Sequence, residues 1–302
     1  MERKSLFRYA DGCFDIPPTM PHPADRERYF RNQPHRVPLG YHEYAGDKQF
    51  ATTLARGIEL LRCFTARDTA LSNAELAALC ELPRPTISRL TYTLTALGYL
   101  RQNPRTGRYE LGSALISATY PLMASIGLRQ QARPLMNALA DATGGNVSMG
   151  IRDRLNIVLV ETSRQPLPVT LRGPMADVGL SLPIVGSAIG RAFLAGCDPA
   201  LRERLLNEIR VKEPQDWARF SPGLQAALRD HERQGYCAVD GDLVGEVLAV
   251  GAALPQGHAG EPVVFNCAFA RAALARGHGL AWLRKDIGPQ LVTLVRRLQA
   301  GA

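Results

Sequence analysis

The stretch Ser72–Leu111, SNAELAALCELPRPTISRLTYTLTALGYLRQNPRTGRYEL, decides the fold. Ser72 stands as an N-cap with Glu75 three residues on, a capping box that satisfies two backbone donors at a helix start. Leu76 and Leu79 fall on the buried face of that helix, and the run Cys80–Pro83 breaks it. A second helix carries Ile87, Leu90, Leu94 and Leu97 as one apolar stripe at helical spacing. Its other face offers Arg84, Thr86, Ser88, Arg89, Thr91 and Tyr92. Such short polar or basic groups enter a major groove without clashing, and arginine can fork onto guanine O6 and N7. Gly98 stops the helix as a C′ glycine. Tyr99–Arg101 and Arg108–Leu111 then flank a turn at 103–107, forming a wing whose Arg101, Arg105 and Arg108 meet phosphates. The pattern predicts a winged helix-turn-helix that binds double-stranded DNA. The plainer alternative is a helical corner with a hairpin that serves as core or contacts another protein.

Working outward, Thr52–Thr65 reads as a helix placing Leu54, Ile58, Leu61 and Phe64 against the two that come after it. Beyond the wing, Ser113–Arg129 is a further helical stretch containing Pro121. It is expected to link two domains, with Leu115, Ile116, Leu122, Met123 and Ile126 either as a dimer contact or packed on their own domain. A helix through Leu135, Leu139 and Ala142 ends at Gly144 and Gly145. Strands are then expected at 146–151, 155–161, 169–172 and 178–182, helices near 187–194, 200–209 and 224–234, and strands at 236–239, 246–253 and 262–268. The last two strands are joined by a turn over 255–260, and a final helix runs over 280–298. Strands meandering with helices on their faces give an α+β domain on an antiparallel sheet. The division is therefore an arm over 1–50, a winged domain over 51–112, a linker helix over 113–130 and an α+β domain over 131–302. The arm is rich in proline and holds Arg26, Arg28, Arg31 and Arg36, which suit a DNA groove or a partner subunit; a partly disordered tail is the alternative.

The composition, 46% hydrophobic and 21% charged over 302 residues, is that of a globular protein with room for two cores. The net charge of +8 suits a nucleic-acid partner, although an arginine-rich, lysine-poor chain is also what a GC-rich genome encodes. Placement says more than the sum, because Arg84, Arg89, Arg101, Arg105 and Arg108 cluster on the helix and wing. No apolar run approaches the ~20 residues of a membrane span, and no apolar segment comes after the first charged residues, so a cytoplasmic location is expected. Six scattered cysteines without a C-x-x-C predict neither a zinc site nor a disulfide framework. Enzyme signatures fail as well. Val185 stands where the first glycine of a nucleophile elbow around Ser187 belongs, no Walker A sequence is present, and His231, His258 and His278 lack a local acidic partner. Neither catalysis, a metal nor a cofactor is expected.

With those pieces in order, the chain after residue 50 resembles the IclR family of bacterial transcriptional regulators. Leu54–Leu61 (LARGIELL) is similar to the family's opening helix, Leu82–Leu90 (LPRPTISRL) to its recognition helix, and Gly98–Leu100 with Gly107–Gly112 to its wing. Leu182–Ala195 (LPIVGSAIGRAFLA) resembles the loop and helix lining the family's effector pocket, and Gly235-Tyr236 followed by Asp240 the strand that closes it. The resemblance implies a profilin- or GAF-like effector domain, a homodimer or homotetramer, and control by a small organic acid. Carried over by position, the pocket comprises Ser187, Ala188, Ile189, Asp240, Leu248, Cys267 and Phe269. The chain departs from the family at Arg191 (usually Lys), Leu248 (often Cys), Gly251–Ala253 (often Ala-Ala-Pro), and Cys267 and Phe269 (usually hydroxyls). These changes make the pocket more apolar and favour an aromatic or longer acid over a small keto acid. The resemblance thus implies a dimer that reads a pseudo-palindromic operator and answers to such a ligand.

Overall fold

The computed structural model describes residues 44, 46–65, 68–165, 177–243, 247–274 and 278–301. The arm, apart from its last few residues, and the strand expected at 169–172 lie outside the described residues. Contacts divide the described chain into two compact units, meeting between Ala124 and Ser125.

In the first unit α1 (Thr52–Leu61), α2 (Asn73–Cys80) and α3 (Arg84–Ala96) close over Leu60, Leu76, Ile87, Leu90 and Leu100. The capping box forms: Glu75 N–H donates to Ser72 Oγ at 3.3 Å, and Ser72 N–H to the Glu75 carboxylate at 2.7 Å. Glu81 ends α2 in the left-handed region at φ 53°, and α3 starts at once behind Pro83. The turn between them is therefore short and conformationally demanding. Three expectations need correction. Leu54 and Ile58 are 64% and 45% exposed, because α1 leans on Leu90 through Gly57 and so buries Gly57 and Leu60 instead. Leu97 is exposed as the C-cap of α3, where the chain turns away through Gly98 at φ 76°. Thr91, expected on the polar face, is fully buried and donates its hydroxyl to the Ile87 carbonyl at 3.0 Å.

The wing is β2 (Leu100–Gln102) and β3 (Tyr109–Leu111), and a further strand β1 (Ala70–Leu71) pairs with β3 to give the order β1-β3-β2. Two residues are too few to show alternation, so β1 had no sequence signature. Helix α4 (Ala114–Ser125) comes next with no buried residue; Ile116, Tyr120 and Leu122 stand exposed on it. Ile126, grouped with them by sequence, is core of the second unit at 2% exposure.

The second unit opens with α5 (Leu128–Thr143), stopped by Gly144 at φ 70°. Its sheet comprises β4 (Asn146–Asp153), β5 (Asn156–Ser163), β6 (Ser181–Pro183), β7 (Cys237–Asp240), β8 (Val247–His258) and β9 (Glu261–Ala270). The order is β6-β5-β4-β9-β8-β7, antiparallel throughout. Between β6 and β7 run α6 (Ala188–Gly196), α7 (Pro199–Lys212) and α8 (Pro214–Gln234), and the chain ends in α9 (Gly288–Ala300). Helix α8 starts earlier than expected because Pro214 fits a helix start, and it continues through Pro222. The β8–β9 hairpin is tighter than expected. Its strands run on to His258 and Glu261 around Ala259 and Gly260, both at positive φ as a two-residue type I′ turn requires. Val178, expected to start a strand, lies in a turn before β6 and is exposed.

Candidate functional site

The outer face of α3 presents Arg84, Ser88, Arg89 and Tyr92 to solvent, with Thr86 half-buried beside them. Ser88 also accepts a hydrogen bond from Asn73 Nδ2 at 2.9 Å, which clasps the start of α2 to α3. At the wing turn, Asn103 Oδ1 accepts the backbone N–H groups of Arg105 (3.0 Å) and Thr106 (3.3 Å), leaving the exposed Arg105 at the apex. Arg101 pairs with Glu110 across the hairpin at 2.5 Å and stays 74% exposed. Arg108 is placed differently from the expectation. It lies at the base of the wing, donating to the Ala70 carbonyl at 3.0 Å and to both Glu75 oxygens at 2.8 and 2.7 Å. Bonds from the Ser72 backbone N–H, the Ser72 hydroxyl and Arg108 hold the Glu75 carboxyl down at about 2. Arg84, Arg89 and Arg105 are thus the outward charges, Arg101 is shared, and Arg108 is spent inside the domain.

In the second unit the expected pocket residues divide between two faces of the sheet. A Cβ on Gly251 would stand 2.2 Å from the Ala188 carbonyl oxygen and 3.0 Å from Ile189 N, so the first turn of α6 rests directly on Gly251. Residues opposite one another in a ladder share a face, and neighbours along a strand do not. Gly251 is paired with Asn266, which is paired with Ser148, which is paired with Thr162. This face also carries Val239, Ala249 and Ala268, which pack with Ala188. Leu248, Cys267 and Phe269 point from the opposite face. A Cβ on Gly145 would strike Cys267 Sγ and the Phe269 ring at 2.7 Å or less, and Phe269 meets Trp282 edge-on at 4.9 Å. Asp240 is in register with Leu248, and its carboxylate pairs with Arg271. The residues expected to form one pocket therefore stand on both faces of the sheet, because neighbours along β8 and β9 alternate.

The face under α6 carries buried polar side chains beside its apolar ones. Ser148 is 1% exposed and accepts the Thr162 hydroxyl at 3.2 Å; Asn266 is 7% exposed, and its Oδ1 has no hydrogen-bond partner among the described residues. Alanines at 249 and 268 keep the adjoining row shallow. Ser187 caps α6: its hydroxyl donates to the Pro183 carbonyl at 2.7 Å and accepts Gly190 N–H at 3.1 Å. That leaves the N–H groups of Ala188 and Ile189 without an intrahelical acceptor. Sequence reasoning missed Ser148, Thr162, Asn266, Ala249 and Ala268. The available signal was the polar alternation of Asn146 and Ser148, and Asn266 within an apolar strand. Arg191 anchors α6 from inside at 3% exposure, with Nε on the Val185 carbonyl at 2.9 Å and Nη1 on Asp242 at 2.6 Å. A cleft of about 710 Å³ between α7 and α8 is lined by Arg202, Glu203, Arg229 and Glu232 among others, and no strand residue reaches it. Among the described residues no cluster of His, Cys, Asp or Glu is placed to hold a metal, and no helix is long and apolar enough to cross a membrane.

A winged helix-turn-helix joined to a sheet that buries polar side chains on the face under a helix start defines a DNA-binding protein with a sensor domain. Comparison with known proteins gives the class its name. Residues 53–104 match the IclR helix-turn-helix domain, and 121–263 the bacterial transcriptional regulator IclR C-terminal domain. The chain is similar to the HTH-type transcriptional regulator TsaQ1/TsaQ2 of Comamonas testosteroni, with 33% identity over 82% of this chain and 87% of that one. Its fold matches the crystal structure of an IclR family transcriptional regulator from Brucella abortus at TM-score 0.70 and 38% identity, covering 85% and 94% of the two chains. An IclR homologue from Microbacterium hydrocarbonoxydans, solved in complex with 4-hydroxybenzoate, shares the fold at TM-score 0.59 and 20% identity, covering 82% and 99%. The chain belongs to the IclR family of transcriptional regulators, with a DNA-binding winged domain and an effector domain. The relatives that the chain matches, XynR of Escherichia coli among them, carry the names of regulatory proteins.

Proposed function

We propose that the protein is a dimeric regulator that reads a pseudo-palindromic operator with α3 and releases or tightens on it when an aromatic acid enters the face beneath α6. The observation that carries the reading is Asn266: a buried amide oxygen without a partner costs free energy unless something donates to it. A hydroxyl on the ligand meets that need, with Ser148 and Thr162 alongside. The N–H groups at the start of α6, which have no intrahelical acceptor, suit a carboxylate. The 4-hydroxybenzoate bound by the Microbacterium homologue carries both groups. Arg84 and Arg89 contact bases or phosphates, Thr86, Ser88 and Tyr92 line the same face, and Arg101 and Arg105 contact phosphates. Arg108 acts by holding the wing. Ile116, Tyr120 and Leu122 on α4 provide the dimer contact. Half-sites then lie about 34 Å apart or a multiple of it, and ligand coupling is about 1–3 kcal/mol.

Fluorescence anisotropy with a duplex from the region upstream of the gene tests this, across a salt series, with and without 4-hydroxybenzoate. Tight, salt-steep binding that the acid shifts several-fold is the expected result. Binding no tighter than to random DNA at every salt would remove the operator reading and leave α3 as a protein-contact helix.

A further inference from the structure

In the winged unit, Cys63 and Cys80 lie sulfur to sulfur at 3.4 Å. Cys63 is buried two residues beyond the end of α1, and Cys80 is the last, half-buried residue of α2. The gap is about 1.4 Å longer than a disulfide bond of roughly 2.0 Å, so small side-chain and backbone shifts close it. The position of Cys80 in the chain makes the pair consequential. Glu81 holds the left-handed turn, Leu82 and Pro83 come next, and α3 begins with Arg84. The other described cysteines, Cys197, Cys237 and Cys267, are buried in the second unit, where burial pushes their thiols up to about 11, 12 and 12. They therefore stay protonated and unreactive at neutral pH.

We propose that Cys63 and Cys80 form a reversible disulfide under peroxide, and that closing it pulls the end of α2 toward α1 and weakens DNA binding by displacing the start of α3. Cys80 is the more exposed thiol and reacts first. Its thiolate attacks one peroxide oxygen, the O–O bond breaks, and the departing hydroxide leaves as water, giving a sulfenic acid. Cys63 Sγ then displaces the sulfenic oxygen, forming the S–S bond and releasing a second water with the Cys63 proton. Two thiols lose two electrons and two protons, and one hydrogen peroxide becomes two waters. A thiol reductant reverses the change.

The DNA consequence rests on reading α3 as the DNA-contacting helix, whereas the bond itself does not. The full chain is treated with hydrogen peroxide and digested under non-reducing conditions. The 63–80 link is mapped by mass, and hydrogen exchange over 76–92 is compared with that of the reduced protein. In parallel, affinity is measured for the upstream duplex. The expected result is a 63–80 link, altered exchange at the α2–α3 turn, and a several-fold loss of affinity that dithiothreitol restores. Cys80→Ser is expected to bind as the reduced protein does and to ignore peroxide, with Cys63→Ala as the second variant. No 63–80 link in folded, oxidised protein overturns the proposal. So does a link that leaves exchange and affinity unchanged, or a peroxide response that survives Cys80→Ser. Reduced protein that fails to bind any duplex would overturn the DNA reading alone, and the exchange result would still decide the switch.

Discussion

Arg89 and Arg105 are both exposed arginines of one small domain, yet their surroundings assign them different work. Arg89 projects from the outer face of α3 and Arg105 tops the wing turn; in the proposed complex the first reaches base edges and the second a phosphate. Arg89→Ala is expected to cost about 1–3 kcal/mol and relax preference at one operator position, by competition binding with single-base variants. Arg105→Ala is expected to weaken all duplexes alike and reduce the salt slope by about 1. In the second unit Arg191 is a buried charge, and Asp242 is its one described acidic partner. Removing one member of a buried pair leaves the other uncompensated. Because the Asp242 side chain is 32% exposed, Asp242→Asn is expected to cost about 2 kcal/mol, below the usual range for a fully buried pair, measured by thermal denaturation.

At the scale of the element, Gly251 decides how closely α6 approaches the sheet. Gly251→Ala drives a Cβ into the Ala188 carbonyl, a backbone atom that cannot swing aside, so about 1–3 kcal/mol of stability is expected to be lost in a melt. The junction of α7 and α8 carries Glu213, whose carboxyl is raised from 4.5 to about 7 by burial and then by the Asp216 charge. The folded chain keeps a proton there that the unfolded chain releases. Stability is therefore expected to fall as pH rises from about 4.5 to about 7 and then to level off, as far as this group is concerned. Glu213→Gln is expected to remove that slope and stabilise the protein at pH 8, read from melting temperatures across a pH series. The winged elements were legible because their signals are local: the capping box spans four residues and the α3 stripe a single helix. The sheet face was not, because neighbours along a strand alternate between faces, and the helix resting on Gly251 lies some 60 residues away in sequence.

For the whole molecule, the exposed apolar surface of α4 is the feature that composition could not assign. With no buried residue and with Ile116 and Tyr120 at 76% and 71% exposure, it suits a second copy of the chain. Ile116→Asp with Tyr120→Asp is expected to shift the protein toward monomer in sedimentation velocity and to weaken operator binding while the melt stays cooperative. The Arg108–Glu75 contact was equally hidden from sequence, since it joins residues 33 apart. Glu75 closes the start of α2 and grips the base of the wing with the same carboxylate. The wing therefore cannot pivot without uncapping a helix, and Arg105 is presented at a preset offset from Arg84 and Arg89. A rigid caliper of that kind is sensitive to groove width. Duplexes whose local shape matches the offset bind undeformed, and others must bend or widen at a cost set by their own sequence. The protein would then discriminate among sequences lying beneath the wing, where no side chain touches a base.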